Sequence, residues 1–363
     1  MKHYKYIHIF WHDDLKFNPR IVQMINNESD SFQVEDHLFV TPYTRVYDAI
    51  KGYKNVMLFK TDNPGSAEII NKLAPYADWL FVNCLTDWKN TLRIKRKYQS
   101  KIIWRTWGHE LRFSDKEGRI ITNLIKKMIR FLLRQEIRRF HAVGVSNIVD
   151  QYDIEDRFGD VKTIRYPYPI PESNLGTMKT EVPLKDTSEP YCVVVGHSGH
   201  MVDNHIEVLK SLEKFQQENI RIYLLFSYGS KEYMEEVRKY VNKYWENNII
   251  IIDRFLAYPD YTKLCAQMDA VILDGTQSYA LGNLVIFLDL KKKIYLNRNG
   301  LIRRAFLHEN MPHFCTDEIR KMTFEEFTAN VYYPDVLLEH SQLRKHSYSE
   351  NVEQWKSILA SLS

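Results

Sequence analysis

The chain has 363 residues, of which 44% are hydrophobic and 26% charged, and its net charge is +4. This is typical of a globular protein with two domains, and so small a charge does not indicate a nucleic-acid-binding protein. Four distant cysteines without a Cys-x-x-Cys pair argue against a zinc or redox site and favour a reducing compartment. We expect neither a signal peptide nor a membrane span, since no stretch approaches roughly 20 apolar residues.

Short apolar segments rich in β-branched and aromatic residues alternate along the chain with segments of helical periodicity. This alternation predicts parallel sheets with helices on both faces, and about eleven strands are more than one such sheet comfortably holds. The predicted strands are residues 6–10, 56–59, 79–82, 102–104, 142–145, 163–166, 192–195, 222–226, 249–252, 270–273 and 294–296, and the predicted helices include residues 67–72, 122–140, 205–217, 231–244 and 261–268.

A proline-rich segment separates the two halves of the chain. Residues 166–190 contain five prolines, which exclude a continuous helix or a central strand. We therefore predict two Rossmann-like domains, at residues 1–168 and 188–345, joined by a linker at 169–187. The last segment, 346–363, is predicted to contain a helix that can pack back.

The first predicted strand runs into Trp11-His12-Asp13-Asp14, and Asn18 follows shortly after. Ligands of open α/β sheets gather at the carboxyl ends of the strands. A carboxylate there can act as a general base if it comes within hydrogen-bond reach of a hydroxyl group. A solvated polar loop explains the same residues, so both interpretations stay open.

A second polar segment, Trp107-Gly108-His109-Glu110, follows the strand predicted at 102–104. Aromatic faces beside a carboxylate are typical of sugar recognition, because an aromatic ring offers a flat apolar surface. Core packing is the simpler interpretation for Trp104, but it does not explain Trp107-Gly108.

The segment 121–140 is an amphipathic helix with cations four residues apart, at Lys126, Arg130, Arg134 and Arg138. A basic amphipathic helix can lie on an anionic bilayer surface. A domain helix with its charged side in water fits the pattern equally well.

The segment Gly196-His197-Ser198-Gly199-His200 follows the strand predicted at 192–195. Asn204 and Glu207 have capping-box spacing, which predicts a helix whose N-terminus faces this loop. Loop amides and a helix N-terminus favour a phosphate there. Neither a dinucleotide-binding fingerprint nor a P-loop is present, and the hydrolase pattern Gly-x-Ser-x-Gly fails at His200. A polar turn is the alternative interpretation.

Two later segments offer similar chemistry. Asp274-Gly275-Thr276 ends a predicted strand and Leu281-Gly282-Asn283 opens a helix, which is a second place where amides could meet a phosphate. Asp253-Arg254-Phe255, after another strand, could contact a nucleotide base. No Asp-x-Asp motif occurs, so a divalent ion bridging a nucleotide diphosphate is not indicated.

Taken together, these segments resemble the bacterial 4-acetamido-4,6-dideoxygalactosyltransferase family, glycosyltransferase family 56, which acts in enterobacterial common antigen synthesis. The resemblance runs in order over most of the chain, but an acidic residue is favoured at or near His200 and aspartate is usual at Glu110. The matching residues are Ile7-His8, Asp13, Asn18, Trp107-Gly108, Glu110-Leu111, Val195-Gly196, Ser198-Gly199, Asn204, His205-Ile206, Tyr233, Glu235-Glu236-Val237-Arg238, Gly282 and Leu296-Asn297-Arg298.

The resemblance implies an α/β protein of the GT-B fold, with two Rossmann-like domains facing across a cleft. It implies a nucleotide-diphosphate sugar donor, a lipid-linked saccharide acceptor, no cofactor and no metal. The enzyme would work peripherally on the cytoplasmic face of the bacterial inner membrane, in common-antigen or O-antigen synthesis. The residues assigned on this basis are Asp13 and Glu110 for catalysis, Gly196, His197, Ser198, Gly199, His200, Phe255, Gly282 and Asn283 for the donor, Asn18, Trp107 and His109 for the acceptor, and Lys126, Arg130, Arg134 and Arg138 for the anionic membrane surface.

Two other functions remain open at this point. One is an α/β hydrolase with Ser198 as its nucleophile, which the histidine at position 200 and the second Rossmann-like half oppose. The other is a non-catalytic sugar-binding protein of the periplasmic type, which the expected absence of a signal peptide opposes.

Overall fold

A computed structural model describes residues 1–63, 67–85, 88–108, 120–167, 186, 188–245, 247–344 and 346–362. The contacts divide the chain into two compact units, Met1–Gly176 with His346–Ser363, and Thr177–Lys345. We call them the first and second units. Apart from Asp186, the segment predicted as a linker lies outside the described residues.

The first unit is built on a seven-stranded parallel sheet with the strand order β3-β2-β1-β4-β5-β6-β7. Buried apolar residues cover both faces of the sheet, as a sheet packed between helices requires. The strands are β1 Tyr4–Phe10, β2 His37–Thr41, β3 Val56–Leu58, β4 Ala77–Asn83, β5 Ile102–Arg105, β6 Ala142–Val145 and β7 Thr163–Arg165. The helices are α1 Asn18–Asn27, α2 Thr44–Ile50, α3 Glu68–Leu73, α4 Trp88–Thr91, α5 Arg96–Gln99, α6 Ile120–Ile137 and α7 Ile148–Phe158.

The second unit has a six-stranded sheet with the order β10-β9-β8-β11-β12-β13, again with parallel neighbours. The strands are β8 Tyr191–Val195, β9 Ile220–Leu225, β10 Ile249–Ile252, β11 Ala270–Leu273, β12 Lys293–Leu296 and β13 Phe314–Cys315. The helices are α8 His205–Leu212, α9 Lys231–Tyr244, α10 Tyr258–Gln267, α11 Leu281–Asp289, α12 Leu301–His308, α13 Phe324–Thr328 and α14 Asp335–His340.

The last helix, α15 (Tyr348–Ala360), belongs to the first unit although it follows the second in sequence. Trp355 is fully buried on it, its ring lies 4.6 Å from the Tyr166 ring, and its indole Nε1 donates to the Pro167 carbonyl at 3.1 Å. At the end of the chain, the Leu362 carbonyl accepts from Trp79 Nε1 at 2.8 Å. The C-terminal segment therefore completes the core of the first unit.

A pair of buried histidines lies between this helix and the sheet. His8 Nε2 and His37 Nδ1 are 2.9 Å apart, and the His8 ring stacks on Phe39 and Phe81. Burial lowers the pKa of His8 well below its usual range, and burial together with the Lys5 charge lowers the pKa of His37 to about 3. Both imidazoles are therefore neutral at physiological pH and share one hydrogen bond.

This pair makes the stability of the protein pH-dependent. Between about pH 6.5 and the folded pKa, the unfolded chain binds protons that the folded chain excludes, so stability falls as pH decreases, by about 1.4 kcal/mol per pH unit for each histidine. We expect His8→Phe to flatten this slope by about one histidine's contribution, measured by urea unfolding at several pH values. Equal slopes in wild type and His8→Phe would contradict the prediction.

Candidate functional site: a glycine loop at the end of strand β8

The loop after β8 starts at a position that only glycine fits. Gly196 has a φ of +71°, and its amide donates to the Ile272 carbonyl of β11 at 2.9 Å. A Cβ atom on Gly196 would lie 2.6 Å from His205 Nε2 and 2.9 Å from Asp203 Cβ. The backbone therefore turns directly over buried side chains, which brings it as close to a ligand as a main chain can come.

The far end of the loop is fixed by a second backbone contact. Gly199 donates to the Tyr228 carbonyl at 2.7 Å and accepts from the Ser230 amide at 3.0 Å. A Cβ atom on Gly229, whose φ is +143°, would lie 2.3 Å from the Gly199 carbonyl carbon. The loops after β8 and β9 thus pack main chain against main chain.

The interior of the loop is organised by Asp203, a residue that the sequence pattern did not single out. This fully buried carboxylate accepts from His197 Nδ1 at 2.7 Å, from the His197 amide at 3.3 Å and from Ser198 Oγ at 2.7 Å. Ser198 is itself fully buried. Its hydroxyl group is therefore engaged by Asp203, which opposes both a nucleophilic role and direct contact of this hydroxyl with a phosphate.

The start of α8 differs from the predicted capping box. Asn204 adopts a left-handed conformation (φ +51°) without capping the helix, and its Nδ2 donates instead to Asp274 Oδ2 at 2.6 Å. Glu207 pairs with Lys210 at 2.6 Å, and its pKa is lowered chiefly by that hydrogen bond. The capping-box prediction is therefore wrong, because a side chain that reaches across to β11 cannot also reach back to its own helix.

Tyr233 takes the place of the missing cap. Its hydroxyl oxygen accepts from the His205 amide, the first of α8, at 2.9 Å. Burial lowers the pKa of His205 to about 4, against the opposing effect of the Asp203 charge, so this imidazole is neutral beneath the loop. The expectation that α8 presents all of its first amides to an anion is thus wrong for the amide of His205.

Asp274, at the end of β11, joins the ends of three neighbouring strands. Besides the Asn204 amide group, its carboxylate accepts from Asn297 Nδ2 at 3.0 Å and from the Thr316 hydroxyl group. These partners follow β8, β12 and β13. The carboxylate therefore fixes the carboxyl edge of the sheet from inside the protein.

The N-terminus of α11 lies beside the His197 ring. Tyr279 stacks on this ring with 5.2 Å between centroids and 23° between planes, and its hydroxyl group donates to the Val202 carbonyl at 2.6 Å. Ala280, at φ +60°, then starts the helix that carries Gly282 and Asn283. Gly282 is exposed, and a Cβ atom added there would meet nothing within 4 Å. The structure therefore brings the 196–199 loop and the start of α11 together. This proximity is required if both segments are to bind one diphosphate.

A cavity of about 430 Å³ adjoins the loop after β9. It is lined by Tyr228, Gly229 and Asp253, among others, and Arg238 pairs with Asp253 at 3.3 Å. Phe255 follows two residues after Asp253 with 82% of its surface exposed. His200 is also exposed, next to the Tyr228 ring. Tyr228, which lines the cavity and is itself exposed, offers an aromatic surface that suits the planar base of a nucleotide, whereas Phe255 is not among the lining residues.

In the first unit, the two acidic residues after β1 have different environments. Asp14 Oδ2 accepts from the Phe17 and Asn18 amides at 2.5 and 3.0 Å and so starts α1, whereas Asp13 is exposed and meets Arg45 at 3.3 Å. Asn18 is buried and donates to the His12 carbonyl at 3.0 Å, so it positions this loop rather than presenting its amide group to solvent.

Trp107, after β5, lies beside the β1 loop. Its ring is 5.4 Å from the His12 ring and 5.5 Å from the Phe17 ring. The structure thus brings Trp107 to the loop that carries Asp13. His109 and Glu110 lie outside the described residues.

Helix α6 shows a different surface from the one expected. Leu133 and Ile137 pack in the core, and the Arg134 guanidinium donates to the Phe158 carbonyl at 2.8 Å. Arg134 is therefore used within the unit, while Arg130 and Arg138 are exposed and the Lys126 side chain lies outside the described residues. The exposed surface also carries large apolar side chains, 41–60% accessible, at Ile125, Met128, Phe131 and Leu132.

The one cluster of potential metal ligands among the described residues is Cys315, Asp317 and Glu318. Arg298 donates to both carboxylates, at 2.7 Å to Asp317 Oδ2 and 2.7 Å to Glu318 Oε1, and lowers the pKa of Asp317. A guanidinium group thus already supplies the positive charge at this cluster.

The two parallel-sheet Rossmann-like units have the GT-B fold, and solved structures share this fold. HepE from Anabaena, in complex with UDP and glucose, has a TM-score of 0.60 at 12% identity, with 99% of this chain and 100% of that chain covered. The trehalose-6-phosphate protein from Escherichia coli, bound with UDP-2-fluoro glucose, gives 0.57 at 10% identity, with 98% of both chains covered. A glycosyltransferase from Rickettsia africae gives 0.56 at 10%, with 98% and 93% covered.

The particular family follows from the sequence itself. The family described as 4-alpha-L-fucosyltransferase, glycosyl transferase group 56, matches residues 81–362. The chain belongs to this family, which confirms the family and the fold expected from the sequence. The protein is therefore a glycosyltransferase that moves a sugar from a nucleotide donor, and neither the hydrolase nor the non-catalytic alternative is supported.

The glycine geometry gives a matched pair of variants. Gly196→Ala puts a methyl group against His205 and Asp203 at positive φ, so we expect a loss of about 1–3 kcal/mol in the free energy of unfolding. Gly282→Ala has open space in a helical turn, and should be neutral or more stable by up to about 1 kcal/mol. Urea unfolding measures both, and equal behaviour of the two variants would show that the loop is not constrained as described.

Proposed function

We propose that the protein transfers a deoxyamino sugar, from dTDP-Fuc4NAc or a similar nucleotide-diphosphate donor, to a polyprenyl-diphosphate-linked saccharide. The pathway would be bacterial surface polysaccharide synthesis, either of enterobacterial common antigen or of O-antigen. The observation that carries the donor half of the proposal is the glycine loop 196–199 held against the start of α11. Membership in a family described as a fucosyltransferase supports a deoxy sugar, and the acceptor is proposed from the resemblance of the sequence.

The donor diphosphate would lie on the loop between Gly196 and Gly199 and on the first turn of α11, around Gly282 and Asn283. As the bond to the sugar breaks, charge develops on the diphosphate, and donors already fixed in place stabilise it without reorganising. His197 supplies one side-chain donor. The amides of Gly196, His197 and Gly199 already donate within the protein, so the main-chain donors would be the Ser198 amide and the first turn of α11. Ser198 would contribute only its amide, because its hydroxyl group is bound to Asp203. We propose no metal ion in this step.

The nucleoside would extend toward the 430 Å³ cavity after β9, with Tyr228 or the exposed Phe255 as a stacking surface for the base. His200, exposed at the end of the loop, would contact the donor from the solvent side. The specificity for the nucleotide base would then depend on the cavity and not on the loop 196–199, since amides bind a diphosphate whatever base it carries.

Acceptor activation is assigned to the first unit. Asp13 is an exposed carboxylate 3.3 Å from Arg45, and it would accept the proton of a sugar hydroxyl group. Trp107 would stack on a sugar ring, and Asn18 would hold the loop in shape. Glu110 and His109 remain candidates from the family resemblance alone.

The apolar and basic surface of α6 would place the enzyme on the cytoplasmic face of the inner membrane. Apolar side chains such as Phe131 and Met128 can enter the interface, and exposed cations such as Arg130 pair with anionic lipid headgroups. No described helix has the length and apolar character needed to cross a bilayer. A peripheral position would bring the enzyme to a lipid-linked acceptor.

Nucleotide binding tests the donor half directly. We expect one nucleoside diphosphate among dTDP, UDP and GDP to raise the melting temperature, since a ligand that binds only the folded state stabilises it. EDTA should not change the shift if no metal takes part. CMP and buffer alone are the controls. The proposal would be contradicted if none of the nucleotides, at millimolar concentration, moved the transition, or if EDTA abolished the shift.

Vesicle sedimentation tests the membrane assignment. We expect binding to vesicles of phosphatidylethanolamine with phosphatidylglycerol, weaker binding without the anionic lipid, and loss of binding in the Met128→Glu, Phe131→Glu double variant. The matched control is Tyr332→Glu, which changes another exposed large apolar side chain, 77% accessible, in the second unit. Equal binding of both variants would rule out α6 as the membrane surface.

A further inference from the structure

We propose that Asp203 is a positioning residue that holds the His197 imidazole as an N–H donor to the departing diphosphate. The inference rests on the proposed function, because it concerns the same donor site. It assigns a role to Asp203, which lies outside the segment 196–200, and to the Nε2 atom of His197.

The first argument is the state of the Asp203 carboxylate. It is fully buried, and each of its oxygens accepts from a loop group: Oδ1 from His197 and Oδ2 from Ser198. A carboxylate that accepts from an amide, a ring N–H and a hydroxyl group is satisfied as an anion, since an ionised carboxylate is an acceptor only. The buried negative charge therefore has a structural reason to persist beneath the loop.

The second argument is the orientation of His197. Its Nδ1 lies 2.7 Å from Asp203 Oδ1, so this nitrogen carries a proton and Nε2 is directed away from the carboxylate. The ring is also held between Tyr279, stacked at 5.2 Å, and the edge of Tyr228, at 6.4 Å. A ring flip would break the 2.7 Å contact, so the imidazole is pre-oriented before any ligand binds.

The third argument is electrostatic. Nε2 can donate when the ring carries a proton on both nitrogens, and the Asp203 carboxylate 2.7 Å from Nδ1 is the counter-charge for that form of the ring. When the C1–O bond of the donor breaks, its electron pair moves to the diphosphate oxygen while the acceptor oxygen forms the new bond to C1. The acceptor proton goes to a carboxylate general base, and the Nε2–H of His197 stays in place as a hydrogen-bond donor to the developing charge. Atoms and charge balance without a further reactant.

A double-mutant cycle tests this coupling. We expect Asp203→Asn to lower kcat for donor turnover by about 10–100-fold and His197→Ala by about 100-fold, with smaller effects on KM because the contact strengthens as charge develops. The double variant should be no slower than His197→Ala. Release of UDP or dTDP from UDP-glucose and dTDP-glucose measures turnover, and melting curves confirm that each variant is folded.

Asp153→Asn is the matched control, since it makes the same change at another buried carboxylate, which pairs with Arg157 at 2.6 Å in the first unit and has no part in the donor site. Its kcat should stay within a few-fold of wild type. Multiplicative losses in the double variant, or a loss in Asp153→Asn as large as that in Asp203→Asn, would overturn the proposal and leave Asp203 a residue of loop stability only.

A spectroscopic readout separates this inference from the proposed function. In protein with ¹⁵N-labelled histidine, Nδ1 of His197 should show the signal of a protonated nitrogen in wild type, and Asp203→Asn should shift it. Binding of dTDP or UDP should perturb Nε2. An unprotonated Nδ1 in wild type would refute the positioning role even in an active enzyme. Absence of all donor turnover and nucleotide binding would refute the proposed function instead.

Discussion

The proposed donor site depends on close contact between main chain and its surroundings at three glycines. Gly196 turns over Asp203 and His205 with no room for a Cβ atom, and Gly199 meets Gly229 backbone to backbone. A side chain at Gly199 or Gly229 would push the loops after β8 and β9 apart. The amides of Gly196 and Gly199 donate to Ile272 and Tyr228, so these contacts fix the loop and with it the position of His197.

The same edge is stabilised by one fully buried and one partly buried carboxylate rather than by exposed ion pairs. Asp203 satisfies the loop after β8, and Asp274 joins residues that follow β8, β12 and β13. Buried acceptors of this kind are costly unless every hydrogen bond is made, so they impose one geometry on their partners. In the first unit, the fully buried Trp355 of the last helix packs over the histidine pair and closes the core.

The sequence predicted the fold well because apolar segments of a parallel sheet are nearly continuous. Eleven of the thirteen strands in the described part of the chain lie where the apolar pattern placed them. The missed strands have physical explanations. His37 on β2 is a polar residue at a core position that only its pairing with His8 makes tolerable, and β13 has just two residues, too few for a pattern.

Site details were harder to predict, because they depend on contacts distant in sequence. The spacing of Asn204 and Glu207 indicated a local cap, but Asn204 binds Asp274, 70 residues away, and Tyr233 caps the helix instead. Asp203 is not part of any sequence motif, so its role could not be predicted. Its contacts form only when the 3₁₀ turn that carries it folds under the loop. The glycines could be predicted, because their effect is local.

The most direct test of the central claim is a crystal structure of the protein with the nucleoside diphosphate that stabilises it most. The account predicts diphosphate oxygens within hydrogen-bond distance of the Ser198 amide, of the first turn of α11 and of His197 Nε2. A diphosphate bound away from this loop, with the loop facing only water, would contradict it.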